Sequence, residues 1–220
     1  MRHIIWDWNG TLLADQCVVL SSVNSALAAV GCRPVAMSTY RRASKRPVRP
    51  FYDTIAGRPL GNDEWETVDQ VYHRAYAERV HEAALAPDAT EVLRGAASHG
   101  VSQSLLSMWP HRDLVPLVGS HALMSWFCRV DGYRGECGGS KAEHMAEHVA
   151  ALGKDHGPAP GDLLVVGDTV DDAVAARMSG VSCILLAVGS YERDILERQD
   201  VPVAGSLTEA LTIAGCGDRD

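Results

Sequence analysis

The chain opens on HIIWDW (residues 3–8), an apolar run too continuous for a half-exposed strand; it predicts a short, central one. Residues 15–31, DQCVVLSSVNSALAAVG, switch to helical periodicity, with an Asp at the start and a Gly at the end. The next stretch, STYRRASKRPVRPFYDTIAG, is interrupted by Pro47 and Pro50. NDEWETVDQVYHRAYAERVHEAAL then reads as a long, charged amphipathic helix. No strand pattern occurs between Asp15 and Leu85.

Beyond Pro87, helical and strand patterns alternate. PDATEVLRGAASHG has Pro at its start and Gly at its end, as helices do. QSLLSM is a short buried strand, HRDLVPLVGSH a helix or part of one, and WFCRVDG a further strand. A Gly-rich turn, GECGGS, leads into the helix KAEHMAEHVAALG. DLLVVGD, DDAVAARMSG and VSCILLAVG then read as strand, helix and strand, and VPVAGSLTEALTIAG closes with a short strand and helix.

Such alternation implies right-handed crossovers and an α/β fold with a Rossmann-like parallel sheet covered on both faces. Ligands bind such sheets at the carboxyl ends of the strands. Asp7, Ser107 and Asp168 each occupy that end of a predicted strand. The helical segment between the first two of these strands, about 70 residues, is too long for a simple crossover. It is read as an inserted all-helical cap over residues 14–83, with the core formed by residues 1–13 and 84–220.

At 220 residues and 46% hydrophobic content, the chain suits one large globular domain or a core with an appendage. Its net charge of -8 argues against a nucleic-acid partner, while local basic residues can still meet an anionic substrate. No apolar run approaches the length of a membrane span, and no basic-then-apolar leader precedes the first strand. The six scattered cysteines (Cys17, Cys32, Cys128, Cys137, Cys183, Cys216) form no C-x-x-C pair. Free thiols in a reducing cytoplasm are therefore expected, in a monomer or homodimer.

Four separated features carry chemistry: Asp7 followed by Asn9, Gly10 and Thr11; Ser107 ending QSLLS; Lys141 opening a helix; and VVGDTVDD, with Asp168 and Asp172 four residues apart. Singly, each has an ordinary explanation as a turn or cap residue, a strand-end hydroxyl or a solvated lysine. Together, in this order, they resemble the haloacid dehalogenase-like (HAD) hydrolases, a superfamily of mostly Mg²⁺-dependent phosphatases. Asp-x-Asn-Gly-Thr and Gly-Asp-Thr-x-x-Asp at the two ends are the specific part. The spacing and the loop RRASKRPVRPFY are similar to the phosphoglycolate-phosphatase-like branch, and the resemblance covers nearly the whole chain.

The chemistry follows from the residues themselves. A carboxylate such as Asp7 can attack a phosphomonoester and form an acyl phosphate, dividing a very high barrier into two lower ones. Two anions must first be brought together, so a cation is needed, and Mg²⁺ suits oxygen ligands. Asp7 and Asp168 are candidate ligands; the resemblance implies the Asn9 backbone carbonyl as another, with Asp172 closing or supporting the set. Lys141, Thr11 and Ser107 would hold the phosphoryl oxygens, with Gly10 letting the backbone come close. The expected substrate is a small phosphorylated metabolite.

Asn9 departs from the family pattern, which has a second Asp there. That acid protonates the leaving oxygen and later deprotonates water, work worth about two to four orders of magnitude. An amide can do neither. Three readings stay open, in order: a phosphatase that is slowed or altered, with His111 a possible substitute; a phosphotransferase to an acceptor other than water; and a non-catalytic phosphate-binding or regulatory protein. Asn9-Gly10 is also a dipeptide prone to deamidation, which would write the ordinary double-Asp motif.

Five basic residues, Arg41, Arg42, Lys45, Arg46 and Arg49, fall within nine positions of the cap. They read as a solvated helix face or, for Arg46 and Arg49, as a grip on a second anionic group of the substrate. His144 and His148 have the spacing of paired metal ligands, but Glu143 and Glu147 flank them and a solvated face is expected. Trp6 is expected in the core and Trp8 at the pocket wall.

Overall fold

A computed structural model describes residues 2–135, 139–154 and 157–216. Glu136, Cys137 and Gly138, half of the GECGGS turn, lie outside the described residues. The chain divides into two compact units: Met1–Leu13 with Leu85–Gly189 and Arg193–Asp220, and Ala14–Ala84 with Ser190–Glu192.

Strand β1 (His3–Trp6) is buried along its whole length. The second unit follows, with helices α1 (Gln16–Ala29), α2 (Met37–Ala43), α3 (Val48–Ala56) and α4 (Asn62–Arg79). Helix α1 turns Val18, Ser22, Val23, Ala26 and Leu27 inward, a stripe at helical spacing. Val23 and Leu27 join Tyr40, Phe51, Tyr52, Leu60 and Val68 in one apolar cluster. The prolines punctuate this region without disrupting it. Pro47 precedes α3 and Pro50 lies in its first turn, where an amide would have no helical partner. Asp15 is buried at the start of α1, where the Tyr76 hydroxyl donates to its Oδ2 at 2.5 Å. Arg49 donates from Nη2 to the Leu60 carbonyl at 3.1 Å and to Asn62 Oδ1 at 2.9 Å, tying α3 to the start of α4.

The chain re-enters the first unit through α5 (Ala89–Ser98), β2 (Ser102–Pro110), α6 (His111–Ser120) and β3 (Arg129–Tyr133). It continues as α7 (Lys141–Gly153), β4 (Leu163–Gly167), α8 (Val170–Met178) and β5 (Ser182–Leu186). The last elements are α9 (Arg193–Glu197), β6 (Val203–Ala204) and α10 (Leu207–Ile213). Strand β2 runs longer than QSLLSM suggests, because it pairs with β3 again at Pro110 beyond an irregularity after Leu106. Helix α9 has only five residues, too short to leave a periodic trace in the sequence.

Among the described residues the strands form one sheet in the order β3-β2-β1-β4-β5-β6, every pair parallel. This is the doubly wound α/β order, whose direction of winding reverses beside β1. No helix of the described residues is long and apolar enough to cross a membrane. All five described cysteines are free thiols.

One buried polar chain crosses the sheet. Asp131 Oδ2 meets His148 Nδ1 at 2.8 Å, and His148 Nε2 meets Ser104 Oγ at 2.8 Å. Ser104 Oγ meets His3 Nε2, and His3 Nδ1 meets Ser102 Oγ, both at 2.7 Å. Each link satisfies a group that would otherwise be buried without a partner. Burial, reinforced by the charge of His148, lowers His3 to a pKa of about 4. His148 is thus a buried member of this chain, in place of the solvated histidine expected from its flanking glutamates.

Candidate active site

The parallel register brings the two acidic motifs together. Trp6 of β1 lies opposite Val166 of β4, so Asp7 and Asp168 leave the carboxyl ends of adjacent strands within a residue of one another. The Asp7 amide still donates to the Val166 carbonyl, at 2.9 Å, which fixes the exit of the chain from β1. This is the crevice where the winding of the sheet reverses.

Asp172 reaches the same place from α8. Thr169 caps that helix: Asp172 Oδ2 accepts from the Thr169 amide at 3.0 Å and from its hydroxyl at 2.6 Å. The cap turns Asp172 Oδ1 toward Lys141, whose Nζ stands 2.5 Å from it and 2.8 Å from Asp7 Oδ1. Ser140 caps α7 in the same manner and sets Lys141 at the first helical position. Asp7, Asp168 and Asp172 are all buried, and one oxygen from each falls within 4.8 Å of the others.

Burial pushes the Asp7 carboxyl up to about 7; the Lys141 ammonium opposes that rise and the charge of Asp172 adds to it. Burial also works against the Lys141 charge, but Asp172 and Asp7 overcome it and hold the ammonium above its ordinary range. One ammonium offsets at most one of three negative charges. An all-oxygen, net-negative, buried cluster fits a hard divalent cation such as Mg²⁺.

The turn after β1 holds the next residues. Thr11 is 1% exposed, and its hydroxyl has no hydrogen-bond partner among the described residues. Gly10 adopts φ +76°, which favours glycine, and a Cβ there would stand 2.4 Å from Asp168 Oδ2. Its amide donates to the Leu13 carbonyl at 3.0 Å. That bond holds the nitrogen that deamidation of Asn9 would need as its nucleophile. The Ser107 hydroxyl donates to Asn9 Oδ1 at 3.2 Å and accepts the Trp109 amide at 3.0 Å.

Two further glycines complete the cradle: Gly167, the first residue of the Gly-Asp-Thr-x-x-Asp motif, and Gly189, which lies outside every motif. A Cβ on Gly167 would come within 2.2 Å of the Asp172 carboxyl carbon, and one on Gly189 within 1.8 Å of Asp168 Oδ2. Their signal was a glycine at each strand exit, in VVGD and AVGS. Trp8 is fully buried, its ring against His121. His111 accepts the Gly132 amide on Nδ1 at 3.1 Å, with Arg134 Nη2 within 3.2 Å of both ring nitrogens. Arg46 and Arg49 belong to the helical unit.

A family model described as HAD-hydrolase-like matches residues 137–210, the span that carries Lys141, Asp168 and Asp172. Phosphoglycolate phosphatase 1 of Pseudomonas aeruginosa is 28% identical over 222 residues, covering 97% of this chain and 79% of the relative. This chain is similar to the haloacid dehalogenase-like hydrolases. The relatives it matches over nearly its whole length are phosphoglycolate phosphatases. A phosphoglycolate phosphatase of Pseudomonas syringae is 29% identical over 232 residues, covering 100% of this chain and 81% of its own. In fold, a haloacid dehalogenase-like hydrolase from Streptococcus pneumoniae superposes with a TM-score of 0.81 at 19% identity, over 97% of this chain and 98% of that one. A hydrolase from Pseudomonas syringae does so at 0.70 and 20%, over 98% of each chain. The chain carries acids at two adjacent strand ends, Asp7 and Asp168, with an amide at Asn9.

Proposed function

We propose that this protein is a Mg²⁺-dependent phosphatase that hydrolyses a small phosphomonoester through a phospho-aspartate on Asp7. The observation that supports this most is the setting of Lys141 between Asp7 and Asp172, with Asp168 in the same buried oxygen cluster. Asp7, Asp168 and the Asn9 backbone carbonyl would hold the metal, with Asp172 supporting them. Bound there, Mg²⁺ would neutralise phosphoryl charge so that a carboxylate can approach.

The chain's own residues do the rest. Asp7 supplies the attacking oxygen, and its bond to phosphorus replaces the bond to the leaving oxygen. Lys141 holds Asp7 in place and offers charge to the phosphoryl oxygens as they gain it. The Thr11 hydroxyl is the readiest further donor, because nothing among the described residues accepts from it. Ser107 would exchange its bond to Asn9 for one to phosphate. Gly10, Gly167 and Gly189 keep the backbone close enough to leave room for nothing but the carboxylates.

We read residues 14–83 as the family's helical cap and the cytoplasm as the site of action. Arg46→Ala and Arg49→Ala should raise KM for the true substrate and leave kcat in place, if either residue grips a second anionic group. The function itself is tested by phosphate release with Mg²⁺ across small phosphorylated metabolites. Wild type should act on at least one, and Asp7→Asn on none; turnover that survives Asp7→Asn would defeat the mechanism.

A further inference from the structure

Asn9 leaves the site without its usual proton carrier, and none of Ser107, Lys141 and His111 replaces it. The Ser107 hydroxyl spends its proton on Asn9 Oδ1. That bond turns the amide oxygen toward Ser107, so the other end of Asn9 is an NH₂ group, which donates hydrogen bonds but does not give up a proton. Lys141 is held by two carboxylates at 2.8 and 2.5 Å. His111 accepts a backbone amide on Nδ1, and its ring faces the Arg134 guanidinium, a group that only donates. Asp7, Asp168 and Asp172 are needed as anions.

From this, and resting on the phospho-Asp7 route above while replacing its phosphomonoester with a more activated donor, we propose that the substrate is an acyl phosphate, enol phosphate or phosphoanhydride, whose leaving oxygen departs as a stable anion. An Asp7 oxygen bonds to phosphorus, and the bond to the leaving oxygen breaks, its electron pair staying on a carboxylate, enolate or phosphate. No proton is required in that step. An alkyl phosphate would have to expel an alkoxide, which does need one. In the second step a water oxygen bonds to phosphorus, the pair of the Asp7–phosphorus bond returns to the carboxylate, and the water protons leave with the phosphate. With no carboxylate at position 9 to take a proton as water attacks, this step is the slower one, and phospho-Asp7 accumulates.

The test compares kcat/KM for acetyl phosphate, a graded series of aryl phosphates and an alkyl donor, phosphoglycolate, all with Mg²⁺, for wild type and Asn9→Asp. Wild type should fall steeply with leaving-group basicity, and Asn9→Asp should restore the alkyl donor by about 10²–10⁴-fold, the worth of a general acid. Its gain on activated donors should be far smaller. Rapid quenching of wild type with acetyl phosphate should give a burst of leaving group, and intact mass should show one phosphoryl adduct per chain. Comparable kcat/KM for phosphoglycolate and acetyl phosphate in wild type would overturn this inference and leave the phosphatase standing. Failure of both proteins to turn over or be phosphorylated by any donor would overturn the phosphatase reading, and this inference with it.

Discussion

Replacing Lys141 by methionine removes one positive charge and keeps most of the apolar stem. The loss falls on Asp7 and Asp172, whose oxygens lie 2.8 and 2.5 Å from the ammonium and whose side chains are 7% and 0% exposed. Removing one member of a buried ion pair costs about 3–5 kcal/mol, because the partner charge stays buried and unmatched. In a chain of this size each kcal/mol lowers the melting temperature by about 2–4 °C, so a fall of about 6–20 °C is expected. The sign with pH follows from Asp7. Its folded value is raised from 3.8 to about 7, so the stability it contributes is full below the unfolded value and lost as pH rises through the folded one. Without Lys141 to hold it down, that loss moves to higher pH. The deficit against wild type should therefore be widest in mildly alkaline buffer and narrow as the solution is acidified. Scanning calorimetry on metal-free protein, in chelator, reads both quantities. A melting temperature unchanged in alkaline buffer, or a deficit indifferent to pH, would refute the reasoning.

The other expectations are more compact. His3 has a folded pKa of about 4 against 6.5 unfolded, so its stabilisation is full above the unfolded value and is lost as pH falls toward 4. The loss should total about 3 kcal/mol, and denaturant titrations of His3→Asn should show a shallower pH slope over that window than wild type. Mg²⁺ at a hundred times its Kd should stabilise the wild type by about 2.7 kcal/mol, and Asp168→Asn should lose most of that shift in the same scan. Gly189→Ala should abolish phosphate release, since its Cβ would stand 1.8 Å from Asp168 Oδ2. Retained activity there would mean that the Asp168 carboxylate is free to move.

The buried acidic cluster was legible because it is built from strand ends. Asp7 and Asp168 close two apolar runs, and a parallel sheet with adjacent strands in register leaves their side chains nowhere else to meet. Lys141 was legible through its cap, Ser140, and the helix period that follows. The same period explains what was misread. Lys141, Met145 and His148 are the buried stripe of α7, so once Lys141 faces inward His148 must do so too; the flanking glutamates belong to the other face. The roles of Gly167 and Gly189 were missed for a different reason: a close backbone approach depends on tertiary placement, which a glycine at a strand exit does not by itself reveal. The full length of β2 was hidden because its last residues pair across an irregularity.

The central claim is that phosphoryl groups pass through Asp7. Wild type should be mixed with ³²P-labelled acetyl phosphate and Mg²⁺, quenched in acid during turnover, digested and mapped. The account predicts label on the peptide bearing Asp7, sensitive to hydroxylamine as an acyl phosphate is, and absent from Asp7→Asn. Phosphate released at the same rate with no label on that peptide, or with label on another residue, would contradict it.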